Sequence, residues 1–90
     1  MSKILIVDDE QSIVDSISMI LSQDDYEIDS ANNGAAAVSK VKSNFYDLIL
    51  LDIKMPKMDG LEALEKIKEI DKDAVVIMIS GHGTIETAVE

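Results

Sequence analysis

Side chains bearing oxygen close three of the chain's four apolar runs. Val7 is followed by Asp8, Asp9 and Glu10, Leu51 by Asp52, and Ile79 by Ser80. If those run ends meet in space, several carboxylates share one small volume. They then repel one another until one is neutralised or a cation sits between them. An all-oxygen, incomplete ligand set with room left for water suits a hard cation, Mg²⁺ or Mn²⁺. Each residue also has a plainer use. Acids favour a helix N-terminus, so Asp8, Asp9 and Glu10 could simply cap one, and Asp9 could do both jobs. Asp52 could be a turn residue and Ser80 a loop hydroxyl. Singly the plain uses win; jointly, at three run ends, they do not.

The elements that would position these groups follow from periodicity. Lys3–Val7 (KILIV), Asp47–Leu51 (DLILL) and Ala74–Ile79 (AVVIMI) are nearly continuous apolar runs, as in strands buried on both faces. Tyr26–Ala31 (YEIDSA) carries Glu27, Asp29 and Ser30 and suits an edge strand. Between the runs, Ile13, Ile17, Ile20 and Leu21 mark one helical face, and Ala37, Val38 and Val41 a second after the turn residues Asn32-Asn33-Gly34. Leu61, Leu64, Ile67 and Ile70 mark a third, opened by Gly60. A further helix is expected to open at Thr84, an N-cap ahead of Glu86. Strands alternating with helices predict an α/β fold, a doubly wound parallel sheet covered on both faces. In such sheets ligands sit at the carboxyl ends of the strands. With runs one, three and four as neighbours, Asp8, Asp9, Asp52 and Ser80 converge there. The fourth run, apolar and with no strand foreseen beyond it, would leave an open edge prone to pairing with another chain.

Composition narrows the function classes. Ninety residues make one small domain, spanning 1–90, and 47% apolar content supplies a core. Without cysteine there is neither disulfide nor thiolate metal site, which fits a reducing cytoplasm. No apolar run approaches the roughly 20 residues of a membrane span, and the short apolar start is no signal peptide. A net charge of −10 argues against nucleic-acid binding and fits a protein that holds cations or docks on a basic partner. His82, alone between Gly81 and Gly83, is read as a loop residue. Met55 and Met58 are read as packing, and Pro56 as a turn stiffener.

ILIVDDE at 4–10, DLILLDIKMPKMDG at 47–60 and IMISGHGT at 77–84 together resemble the receiver domain of two-component response regulators, over the whole of 1–90. The Ser-Gly-His-Gly-Thr stretch is most similar to receivers of the NtrC and NtrX type. The resemblance implies a flavodoxin-like sheet of order 2-1-3-4, with Asp52 as phosphoacceptor. Asp9 and Asp52 would ligate Mg²⁺ directly, with the backbone carbonyl of Lys54 a third ligand and Asp8 acting largely through water. Ser80 would hydrogen-bond the phosphoryl group. A sensor histidine kinase would be the partner and donor, and the module would not be a turnover enzyme on an external substrate.

A complete receiver also has a fifth strand with a phosphate-pairing lysine, an aromatic switch residue and a final helix, none of which is in this sequence. The domain therefore reads as incomplete at its C-terminal end, with a bare apolar patch beside the first strand where the final helix would lie. Three expectations follow: a receiver whose open edge is covered by dimerisation or swapping, a kinase-docking module that no longer switches, or an inactive truncated fragment of a longer transcriptional regulator. A haloacid-dehalogenase-type phosphatase fits poorly, because Lys54 stands where that family needs a second aspartate.

Overall fold

The computed structural model describes residues 2–53, 60–79 and 85–88. Four parallel strands, β1 (Lys3–Val7), β2 (Glu27–Ala31), β3 (Leu48–Asp52) and β4 (Val76–Ile79), lie in the order β2-β1-β3-β4. Three helices connect them: α1 (Gln11–Ser22), α2 (Gly34–Ser43) and α3 (Gly60–Ile70). The order is the one the receiver resemblance implies, and the edge position of β2 is the one its polar residues predict. Among the described residues, no helix is long and apolar enough to cross a membrane.

Alternation along each strand sorts the core into two layers. Leu5, Val7, Ile49, Leu51, Val76 and Met78 face α2 and α3, where Ala37, Val38, Val41, Ala63 and Ile67 complete the larger cluster. Ile4 and Ile6 face α1 and meet Val14, with Ile17 and Leu21 packed alongside. On this side α1 covers only β1 and its neighbourhood. Leu48 and Leu50 of β3 pack against this cluster, and they and Ile77 and Ile79 of β4 are half-buried.

Two helical faces are rotated from the expected ones. In α1 the packed stripe is Val14, Ile17 and Leu21, while Ile13 and Ile20 stand 39% and 64% exposed. In α3, Ala63 and Ile67 are buried and Leu61 is exposed. The angle at which each helix packs on the sheet decides which residues face inward, so not every large apolar residue of the sequence pattern does.

The last element departs from expectation. Ile85–Ala88 is not helical but forms β5, antiparallel to β4, with Val76 opposite Ala88 and Ile79 opposite Ile85. Thr84 lies outside the described residues. An uncovered β4 would leave a row of backbone donors and acceptors without partners, and β5 supplies them; Ile85 and Thr87 are β-branched and suit a strand. Tertiary pairing here overrides a local helix signal. It also removes the reason to expect association through β4, whose edge is not open.

Local devices fix the helix ends. Asn33 caps α2 through its Oδ1, which accepts the N–H of Ala36 at 2.7 Å, and Lys40 and Lys42 favour the negative end of the helix dipole. α1 has no side-chain cap from Glu10. Instead Asp8 Oδ1 accepts the Glu10 N–H at 2.9 Å. Asp25 takes a left-handed turn at φ 63° before β2, a conformation aspartate tolerates better than most residues. Lys68 closes the α3 end by donating to the carbonyl of Ala74 at 2.7 Å.

The edge strand is tied to the rest by one polar knot. Tyr46, 3% exposed, donates its hydroxyl to Asp29 Oδ2 at 2.6 Å, and Lys40 pairs with Asp29 Oδ1 at 2.8 Å. Burial pushes the Asp29 carboxyl up, but the hydrogen bonds from Lys40 and Tyr46 outweigh it, aided by the Ser30 N–H, and hold it at about 2. The charged carboxylate is thus bound more tightly in the fold than in the unfolded chain. Its contribution is whole above the ordinary carboxylate value of 3.8 and is lost as pH falls toward 2. We predict that Tyr46→Phe lowers stability by about 1–2 kcal/mol at neutral pH. Urea unfolding at pH 7 and pH 3 would show the deficit shrinking at the lower pH, and an equal deficit at both would refute this role for Asp29.

Candidate functional site

Register brings the acidic groups together. Val7 pairs with Leu51 across β1 and β3, so the next residues, Asp8 and Asp52, stand side by side at the carboxyl ends of two central strands. They share the parity of Ile4, Ile6, Leu48 and Leu50 and so begin from the same face of the sheet. Asp9, one residue on, swings to the exposed rim. One carboxylate oxygen from each of Asp8, Asp9 and Asp52 lies within 4.8 Å of the other two. Asp8 and Asp52 are 6% and 8% exposed.

Three carboxylates so close are costly without compensation. Asp8 shows the cost. Burial pushes its carboxyl up, the Glu10 N–H partly offsets this, and the Asp9 charge raises it again. Neighbouring acids and low solvation favour either a shared proton or a cation. The donor set, oxygen only, from two buried strand ends and one exposed residue, fits a hard divalent ion with water completing its shell.

Of the five site residues the sequence singles out, the structure gathers Asp8, Asp9 and Asp52. Lys54 and Ser80 lie outside the described residues, as do Met55, Pro56, Met58 and His82. Asp52 pairs in register with Ile79, the residue before Ser80, and Ile53 donates its N–H to the Ile79 carbonyl at 3.0 Å.

Gly60 has a role at the site that its reading as a helix opener did not include. Its N–H bonds the carbonyl of Ile53 at 2.9 Å, pinning the start of α3 onto the end of β3. A Cβ added there would run into the Asp52 carbonyl oxygen and lie 2.6 Å from Ile53 Cα. Only glycine allows α3 to approach the backbone that carries Asp52. In the sequence, the Asp59-Gly60 pair ahead of the third helical face was the available signal.

The model of the response regulator receiver domain matches residues 4–90. The chain belongs to that family. It is 46% identical over 87 residues to the chemotaxis protein CheY of Treponema pallidum, covering 93% of this chain and 60% of that protein. To the transcriptional regulatory protein ZraR of Klebsiella oxytoca it is 38% identical over 87 residues, covering 97% of this chain and 20% of that one. The receiver thus spans under two thirds of either relative, and its kin include both CheY and longer regulators. Among solved structures, the response regulator TrrA of Thermotoga maritima with Mg²⁺ and beryllofluoride superposes with a TM-score of 0.86 at 43% identity, covering 91% of this chain and 73% of TrrA. TrrA in complex with the histidine kinase ThkA gives 0.86 at 42% identity, covering 93% and 72%. Receiver domains are signalling modules, and this chain is one in fold and family.

Replacing Gly60 by alanine should cost about 1–3 kcal/mol through backbone displacement beneath Asp52. Thermal unfolding would register the loss, and amide shifts at Asp52 and Ile53 would register the displacement. A Gly60→Ala protein with unchanged stability and spectrum would contradict the close-approach argument.

Proposed function

We propose that this receiver accepts a phosphoryl group on Asp52, with a divalent cation held by Asp8, Asp9 and Asp52, and so relays a signal from a sensor histidine kinase. The observation that carries the reading is the convergence of those three carboxylates within 4.8 Å at the ends of β1 and β3. TrrA, a similar protein, is found with Mg²⁺ and beryllofluoride in one structure and with a histidine kinase in another, which supports the same partners here.

An oxygen of the Asp52 carboxylate attacks the phosphorus of a phosphohistidine in line with its P–N bond. The new O–P bond forms as the P–N bond breaks, and the electron pair leaves with the imidazole, which takes up a proton. The product is a mixed anhydride at Asp52. Asp9, at the exposed rim, and Asp8, anchored by the Glu10 N–H, hold the remaining carboxylate oxygens around the reacting one. A cation bound among them, Mg²⁺ or Mn²⁺, would neutralise charge on the transferring oxygens, the largest contribution in phosphoryl transfer. The backbone carbonyl of Lys54 is assigned as a further ligand, and the Ser80 hydroxyl as the group that meets the phosphoryl oxygens. Each is carried over from the family motif.

The role is that of an acceptor in a cytoplasmic two-component system, not of an enzyme turning over an external substrate. The domain is taken to occupy 1–90 and to bind no nucleic acid itself, its net charge being −10. The Ser-Gly-His-Gly-Thr stretch favours an NtrC- or NtrX-like parent, and the likeness to ZraR points the same way. A second reading, kinase docking without switching, draws on the antiparallel β5 that takes the edge of β4. The two differ in whether Asp52 becomes phosphorylated.

The wild-type chain should incorporate label from a phosphorylated kinase or a radiolabelled small phosphodonor only when Mg²⁺ is present, and Asp52→Ala should reduce incorporation to background. Labelling that persists in Asp52→Ala would refute the assignment. A wild-type chain that binds the kinase without labelling would select the docking reading.

A further inference from the structure

The outer edge of β2 borders a trough of about 480 Å³, lined by Gln11, Asp15, Ser18 and Ser22 of α1 and by Ile28 and Ser30 of β2. A second hollow of about 280 Å³ shares Gln11 and Ser30 with it and runs on toward Asn32 and Lys40. The trough therefore follows the strand edge between α1 and α2.

The backbone there is only partly satisfied. Glu27 donates its N–H to the Ser2 carbonyl, and the Ala31 carbonyl accepts from Asp8, so odd-numbered residues of β2 face β1. Alternation turns Ile28 and Ser30 outward. The Ser30 N–H is taken by Asp29 Oδ1 at 2.8 Å. The Ile28 N–H and the carbonyls of Ile28 and Ser30 point away from β1, and among the described residues no strand lies beyond them. A donor followed by two acceptors at strand spacing matches an extended backbone better than a compact ligand.

Charge selects the kind of segment. Asp29 is already neutralised by Lys40. Asp15, exposed on the α1 wall, accepts only the neutral Gln11 amide at 2.9 Å, and among the described residues no cation pairs with it. With Glu27 on the strand and a net charge of −10, the edge would repel a second copy of the chain.

We propose that this trough receives an extended peptide segment bearing lysine or arginine at alternate positions, pairing its backbone with the outer edge of β2 and turning its cationic side chains toward Asp15. The trough is lined by none of Asp8, Asp9 and Asp52, although the adjoining hollow reaches Asp8, and binding there does not depend on the phosphoacceptor reading.

The test is an amide-resolved NMR titration of the whole chain with the acetylated heptapeptide amide Lys-Val-Lys-Val-Lys-Val-Lys. Two further probes are the Glu-Val counterpart and the lysine peptide N-methylated at alternate residues. The lysine peptide should shift Asp15, Ser18, Ile28 and Ser30. The N-methylated and glutamate peptides should bind at least tenfold more weakly, and Asp15→Asn, an exposed change that leaves the fold intact, should weaken binding about threefold. Three results would each overturn the proposal: no shifts at millimolar lysine peptide, equal binding by the N-methylated form, or shifts confined to Asp8, Asp9 and Asp52, which would mean cation attraction to the acidic site alone.

Discussion

Mutual repulsion among Asp8, Asp9 and Asp52 is the constraint around which the rest of the molecule is arranged. Two of these carboxylates are almost wholly buried, at the ends of adjacent strands, and an oxygen of the third lies within 4.8 Å of one from each. Left to themselves, the chains that carry them would splay or take up protons. They are held because β1 and β3 are central strands, each paired on both sides and covered by apolar layers, so separating the acids would mean breaking the sheet. The unfavourable site is therefore kept by favourable burial elsewhere, and it is poised to gain most from a small, hard cation.

Two supports act at a distance from the acids. Gly60 lets α3 rest directly on the backbone of Asp52 and Ile53, so the end of β3 is backed by a helix. On the far side, Asp29, Lys40 and Tyr46 bind the edge strand, α2 and the approach to β3 into one polar knot. Without it β2, the most polar strand, would be secured to the core chiefly by Ala31 and Ile28. The N–H of Asp8 bonds the Ala31 carbonyl at 3.1 Å, so the placement of β2 reaches the site itself.

Much of this was legible in the sequence, for stated reasons. Continuous apolar runs ending in acids located the central strands, and Glu27, Asp29 and Ser30 marked the edge. Strand order then placed Asp8, Asp9 and Asp52 together. Local pattern failed where contacts are non-local. Val14, more than Ile13 or Ile20, centres the α1 contact because geometry against the sheet decides it. Tyr46 and Asp29 stand 17 residues apart, and nothing in either neighbourhood announces their bond. Ile85–Ala88 looked helical because its pattern is read alone, whereas the edge of β4 decides its pairing. Gly60 was visible as the residue that opens the third helix, but its need to lack a Cβ depends on a backbone that only the fold brings near.

The most direct test of the central claim is an amide-resolved NMR spectrum of the chain with and without Mg²⁺ plus beryllofluoride, a phosphoryl mimic. A folded receiver with a working acid pocket predicts a dispersed spectrum whose shifts cluster at Asp8, Asp9, Asp52 and Ser80. A dispersed spectrum that does not respond, or one whose shifts fall elsewhere, would contradict it.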